Sequence, residues 1–116
     1  MRSETLKGHL DAMILSVVSV GPLHGYAIIE QLRLRSGGSM SLPEGTVYPA
    51  LHRLEAAGLL SSHWSQAGGR RRRVYELTRR GMRELGTRRA EWREFSRAVE
   101  AVLGPKEPAD PTVVPA

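Results

Sequence analysis

The sequence predicts a mainly α protein with a small β-hairpin. Three observations lead there. Apolar residues recur at helical spacing over four stretches, strict alternation appears in one place, and Gly or Pro marks most junctions. At 116 residues the chain has the length of one domain. A chain of that size can bury roughly two-thirds of the surface it exposes when unfolded.

The first helix is predicted over 6–20, with Leu6, Leu10, Met13, Ile14, Val17 and Val18 on one face. Gly21-Pro22 ends it. A second, shorter helix runs from His24 to about Arg35 and buries Ile28, Ile29 and Leu32; Gly37-Gly38 closes it. The third spans 41–58. Pro43 suits a first helical position, Glu44 favours the positive helix N-terminus, and Gly58 is placed as the C-cap. Val47, Leu51 and Leu54 form its inward stripe. The opposite face carries Gly45, Pro49, His52 and Ala56, with Thr46 and Arg53 flanking one side and Tyr48 the other. That outer face is small at its start and polar further along.

Residues 59–65 then alternate, putting Leu60, Ser62 and Trp64 on one face, and residues 74–77 form the returning strand. Trp64 is expected to cover the core beneath the hairpin. The turn is Gln66-Ala67-Gly68-Gly69-Arg70, so Arg70, Arg71, Arg72 and Arg73 stand at and just after the tip. Thr78 is a suitable N-cap for a final helix over 79–103. Its apolar residues Leu85, Trp92, Phe95, Val99 and Val102 form a narrow seam with heptad spacing. Such a seam buries little against its own domain, so pairing with a second chain is the favoured use; packing on its own domain is the alternative. Four prolines from Pro105 onward predict an irregular, disordered tail. The expected division is a body over 1–78, a pairing helix over 79–103 and a tail over 104–116.

Composition excludes several functions. With no cysteine, a disulfide scaffold, a thiol nucleophile and a thiolate zinc site are ruled out. His9, His24, His52 and His63 show no metal-ligand spacing, and no metal or other cofactor is expected. No catalytic Ser/His/Asp order, carboxylate pair or phosphate-cradling loop stands out, so the chain does not read as an enzyme. No apolar run approaches the roughly 20 residues of a membrane helix and the N-terminus does not read as a signal peptide, so the expected location is cytoplasmic.

The net charge of +5 is unevenly distributed. Residues 1–60 carry five basic and five acidic side chains, whereas residues 70–89 carry nine arginines against Glu76 and Glu84. A local surplus of this kind suits a polyanionic partner, or else a solvated charged face. Three helices followed by a basic hairpin is the element order of a winged helix-turn-helix, here with a long C-terminal dimerisation helix. A helix whose leading face is small and polar can enter the major groove of double-stranded DNA. Gly45, Thr46, Tyr48, Pro49 and His52 meet that description. The wing arginines would then lie along phosphates or enter a minor groove.

The same residues carry a resemblance. His24-Gly25-Tyr26, Gly45-Thr46-Val47-Tyr48-Pro49 with Leu51, Arg53-Leu54-Glu55 and Gly58-Leu59-Leu60, then Arg72-Arg73-Val74-Tyr75-Glu76-Leu77-Thr78 with Gly81, resemble the PadR-like family of bacterial transcriptional regulators. The resemblance spans about residues 6–103. It implies that Thr46, Tyr48 and Pro49 stand where the recognition helix meets DNA, that Tyr26 approaches the phosphate backbone, and that Arg70 to Arg73 occupy the wing. The single long final helix resembles the shorter subfamily, in which that helix forms the dimer. One departure concerns the wing, where relatives often carry one or two basic residues and an aromatic pair. Here four arginines precede Tyr75, and Val74 replaces one aromatic.

The reading that follows is a homodimeric repressor bound to an inverted-repeat operator and released by a small-molecule effector. Trp92 is either dimer core or a contact for a flat hydrophobic, aromatic effector between subunits. Arg53 either joins an ion pair or touches phosphate, and Glu55, repelled by phosphate, is expected to pair with a basic neighbour. The alternative is a basic module that binds nucleic acid without sequence preference, which needs only the arginine cluster.

Overall fold

The computed structural model describes residues 3–105, with side chains from residue 8 onward. The tail expected to be disordered falls, beyond Pro105, outside the described residues. The elements in order are α1 (Ser3–Val18), β1 (Leu23–His24), α2 (Gly25–Arg35), α3 (Glu44–Ala56), β2 (Leu60–Ser65), a short 3-10 turn (Ala67–Gly69), β3 (Arg72–Leu77) and α4 (Arg79–Leu103).

The helix α1 is the centre of the core. Leu10, Ile14, Leu15, Val17 and Val18 are all buried, because α1 packs against α2, α3, α4 and β3. The added burial of Leu15 follows from being covered on more than one side, which a one-stripe reading does not anticipate. Ile28 and Leu32 of α2 and Val47, Ala50, Leu51 and Leu54 of α3 complete the helical layer. Ile29 is half-buried at its edge.

Two helices stop by the same backbone device. After α3, Leu59 N–H donates to the Leu54 carbonyl at 3.0 Å and Gly58 N–H to the Glu55 carbonyl at 3.0 Å. After α2, Gly38 N–H donates to Arg33 and Gly37 N–H to Leu34. These are Schellman closures, and Gly58 takes the left-handed φ of +77° that they require. Ala57 is the C-cap residue and Gly58 follows it. At the other end, Pro43 is the N-cap and not the first helical residue. Its carbonyl accepts from Thr46 and Val47, so the extended backbone that proline favours is used just outside the helix.

The expected hairpin is present and gains a strand. The sheet order is β1-β3-β2, all antiparallel, with Leu23 opposite Tyr75 and His24 opposite Val74. Two residues are too few to display a period of two, so β1 was not legible in the sequence. In the β2–β3 ladder Leu60 faces Leu77, Ser62 faces Tyr75 and Trp64 faces Arg73. The inner face therefore runs from buried Leu60 and Tyr75 at the base to exposed Trp64 and Arg71 at the tip. Trp64 does not cover the core as expected. It is 53% exposed because the hairpin projects past the helical layer.

The start of α4 belongs to this body. Thr78 Oγ1 accepts the Gly81 N–H at 2.9 Å, the predicted cap, and donates to the Gly58 carbonyl at 2.7 Å. A Cβ at Gly81 would lie 2.1 Å from the Leu59 carbonyl oxygen. Leu85, read from sequence as part of the pairing seam, is 3% exposed and sits in the chain's own core. It lies one turn after Gly81, where α4 still runs against the body, and so has no area left for a partner. Over its 25 residues α4 rises about 37 Å, and the molecule measures 66 × 27 × 24 Å.

Gly81→Ala should lower stability by roughly 1–3 kcal/mol, since backbone and not a flexible side chain must yield. Urea denaturation followed by circular dichroism measures it; a wild-type midpoint would show that the Leu59–Gly81 approach is not required.

Candidate nucleic-acid interface

The outer face of α3 is as the sequence predicts. Gly45, Pro49, His52 and Arg53 are exposed, and Thr46 and Tyr48 are half-buried. Pro49 lies inside the helix and has no N–H to donate, which leaves the exposed Gly45 carbonyl without its helical partner.

Tyr48 leans from α3 onto the start of α2. A Cβ at Gly25 would come within 2.7 Å of the Tyr48 ring and hydroxyl, so any other residue there would displace the ring. Burial raises the Tyr48 hydroxyl pKa, and the charges of Glu44 and Tyr26 add to the shift. A phenol is protonated at neutral pH even without this shift, so the hydroxyl has a proton to donate. Tyr26, on the first turn of α2, is 63% exposed beside it. A concavity of about 580 Å³ joins Tyr26 and Tyr48 to His24, Trp64 and Arg70 to Arg73. The tertiary structure thus brings three separate sequence motifs to one face. Gly45, Thr46, Pro49, His52 and Arg53 do not line this hollow and occupy the rest of α3's outer surface.

The four wing arginines are not equivalent. Arg73 lies 3.6 Å from the Glu55 carboxylate and 5.2 Å from the Trp64 ring. Arg72 points to the other side of the strand, with Nη1 2.9 Å from His24 Nε2. Arg71 lies over the Trp64 ring, its guanidinium carbon 4.5 Å from the centroid. Arg70 is exposed at the turn. Among the described residues neither Arg70, Arg71 nor Arg72 pairs with a carboxylate. Glu55 takes the expected basic neighbour and also accepts from the Ser62 hydroxyl. Arg53 pairs with Asp11 of α1 at 2.6 Å, an ion-pair partner 42 residues away that sequence spacing could not indicate.

His24 caps α2 through Nδ1, which accepts the Ala27 N–H at 3.2 Å. A neutral imidazole has one ring proton, so capping through Nδ1 places that proton on Nε2, facing the donor-only guanidinium of Arg72. The opposite tautomer accepts from Arg72 and surrenders the cap. Protonation harms both contacts. Burial, and then the Arg72 charge, accordingly hold the His24 pKa below its usual 6.5.

A second surface lies along α4. Trp92 is 52% and Phe95 57% exposed, Val102 is more exposed still, and Val99 is half-buried. Trp92 meets His9 of α1 edge-on at 5.1 Å. A hollow of about 680 Å³ opens between α1 and α4, floored by Met13, Met40 and Leu85 and walled by Trp92 and Phe95.

A helical layer presenting one exposed polar helix beside a basic two-stranded wing defines a winged helix-turn-helix protein. Residues 14–87 match the Transcriptional regulator PadR-like family, and the chain belongs to that family. It is thereby a transcriptional regulator and not an enzyme. It is 41% identical over 86 residues to the transcriptional regulator Rv3488 of Mycobacterium tuberculosis, spanning 74% of this chain and 78% of that one. Among solved structures it is similar to a PadR family transcription regulator from Clostridium difficile, with 37% identity and a TM-score of 0.76 over 84% of this chain and all of the other. A PadR-like transcriptional regulator from Bacillus cereus superposes with a TM-score of 0.78 at 27% identity, covering 90% of this chain and 100% of that one. Among the described residues no helix is long and apolar enough to cross a membrane.

A His24 pKa lowered on folding means that the unfolded chain binds the proton more readily. The stability this group contributes is complete above pH 6.5 and is lost as pH falls through the lower folded value. Urea midpoints compared between about pH 5 and pH 8 should fall more steeply on acidification in the wild type than in His24→Asn, which can cap without titrating. Parallel profiles would exclude His24 as the responsible group.

Proposed function

We propose that the protein is a homodimeric repressor that reads an inverted repeat with α3 and holds it with the wing. The observation that carries this reading is the separation of the two kinds of surface. The exposed face of α3 is nearly uncharged, and the unpaired arginines stand on the wing beside it. Uncharged polar groups choose base edges, while cations that release counterions supply affinity without regard to sequence.

Dimerisation is supported by the outer part of α4, where Trp92, Phe95 and Val102 form an exposed apolar stripe with Val99 beneath it. A second copy would cover this stripe and the hollow beside α1. Two α3 helices related by that axis would meet half-sites about 34 Å apart on one face of DNA. Repression follows if the operator overlaps a promoter. The hollow walled by Trp92 and Phe95 has the apolar lining that a flat aromatic effector requires, and such a molecule would release DNA only by favouring one dimer geometry over the other.

An inverted repeat selected from a random duplex pool tests the DNA reading. Thr46→Ala or His52→Ala should reduce preference for it over random duplex by about 1–3 kcal/mol. Arg70→Ala should weaken both duplexes equally and reduce the salt slope by about one unit. If all three variants lose affinity equally for both duplexes, the protein is the non-specific basic module instead.

The dimer is tested with Phe95→Glu combined with Val102→Glu. Sedimentation should give a monomer with markedly weaker binding to the repeat and unchanged helix content. A wild type that sediments as a monomer at micromolar concentration would refute pairing through α4.

A further inference from the structure

Of the four wing arginines, one lies against an aromatic ring and, among the described residues, makes no side-chain hydrogen bond or ion pair. Trp64 and Arg73 are directly opposite in the β2–β3 ladder, and Arg71 lies two residues beyond Arg73 on the same face. The two guanidinium carbons lie 4.5 Å and 5.2 Å from the Trp64 ring centroid. The inner face of a hairpin that projects beyond its core would normally end in solvent-mobile side chains. Here it ends in an indole flanked by two cations.

The two cations use the indole differently. Arg73 also has a carboxylate, Glu55, within 3.6 Å, so its charge is already balanced inside the chain. Among the described residues Arg71 meets the ring and no carboxylate. A guanidinium presents its face to a π-system and keeps its N–H donors in the plane of the group, pointing outward. Those donors form the fork that binds a phosphate bidentately. A free arginine on a turn must surrender rotamer freedom when it binds, and stacking on Trp64 removes much of that loss beforehand.

We propose that Trp64 is a positioning residue for DNA binding: it holds Arg71 face-on so that its donor edge is presented to a backbone phosphate, while Arg73 stays with Glu55 and anchors the base of the stack. This rests on the reading that the wing grips DNA. It assigns Arg71 as a phosphate ligand held in place beforehand and Arg73 as part of the scaffold, a division that four consecutive arginines do not suggest.

The full chain is titrated against the selected repeat and a random duplex at several salt concentrations, using anisotropy of labelled DNA. Trp64→Ala should weaken both duplexes by about 2–5-fold, the equivalent of one exposed cation–π contact. The salt slope should not change, because no charge is removed. Trp64→Phe should restore most of the affinity. In an Arg71→Ala background the Trp64→Ala change should have no further effect. In the free protein the Arg71 Nε–H resonance should be shifted by the indole ring current and should move to the random-coil position in Trp64→Ala. Wild-type affinity in Trp64→Ala, additive losses in the double variant, or a random-coil Arg71 resonance in the wild type would overturn the proposal alone. A wild type that binds neither duplex would overturn the DNA reading and this proposal with it.

Discussion

Four elements meet at Leu59, and the geometry of the rest depends on that meeting. The α3 helix ends there, β2 begins, β3 returns, and α4 starts above it. The Thr78 backbone donates to the Leu59 carbonyl at 3.2 Å, its side chain donates to the Gly58 carbonyl, and Gly81 has no Cβ to push α4 away. At the Leu59–Gly81 approach backbone faces backbone, so that contact cannot be relieved by a side chain turning aside. The joint sets the angle at which the hairpin leaves the body and the direction in which α4 departs. It therefore links the wing at one end of the molecule to the apolar stripe at the other. Moving the hairpin by an ångström would alter where the arginines stand relative to α3.

Charge is organised by the same geometry. In a strand, side chains alternate between faces, so β3 sends Arg73 inward to Glu55 and Trp64 and Arg72 outward to His24. Part of the basic surplus is thus bound within the protein, and part remains available. The divided use explains how four adjacent cations coexist on a small hairpin. Each is separated from the next by strand alternation or offset by an indole or a carboxylate. The imidazole of His24 is the exception, since it caps a helix beside a cation that it cannot satisfy in the same tautomer.

Helix α4 serves two purposes along one length. Its first two turns complete the core through Gly81 and Leu85, whereas the part from Trp92 onward carries its apolar side chains in the open. Heptad spacing is continuous through both parts, and a one-dimensional pattern shows no boundary between them. Burial of Leu85 by α1 supplies that boundary. Trp64 illustrates the converse: its alternation with Leu60 and Ser62 is real, but the hairpin outruns the helices, and an inward-facing residue ends up outside.

Periodicity, helix stops and charge by themselves determined the four helices, the hairpin, the inward stripes of α2 and α3, and the exposed face of α3 that carries Gly45, Thr46, Pro49 and His52. These are local properties, because spacing along the chain fixes which side chains share a face. Only the tertiary structure decided the third strand, the Asp11–Arg53 pair, the fit of Tyr48 against Gly25, the burial of Leu85 and the division of the arginines. Each of those depends on what lies opposite in space, and contacts between residues tens of positions apart leave no period in the sequence to read.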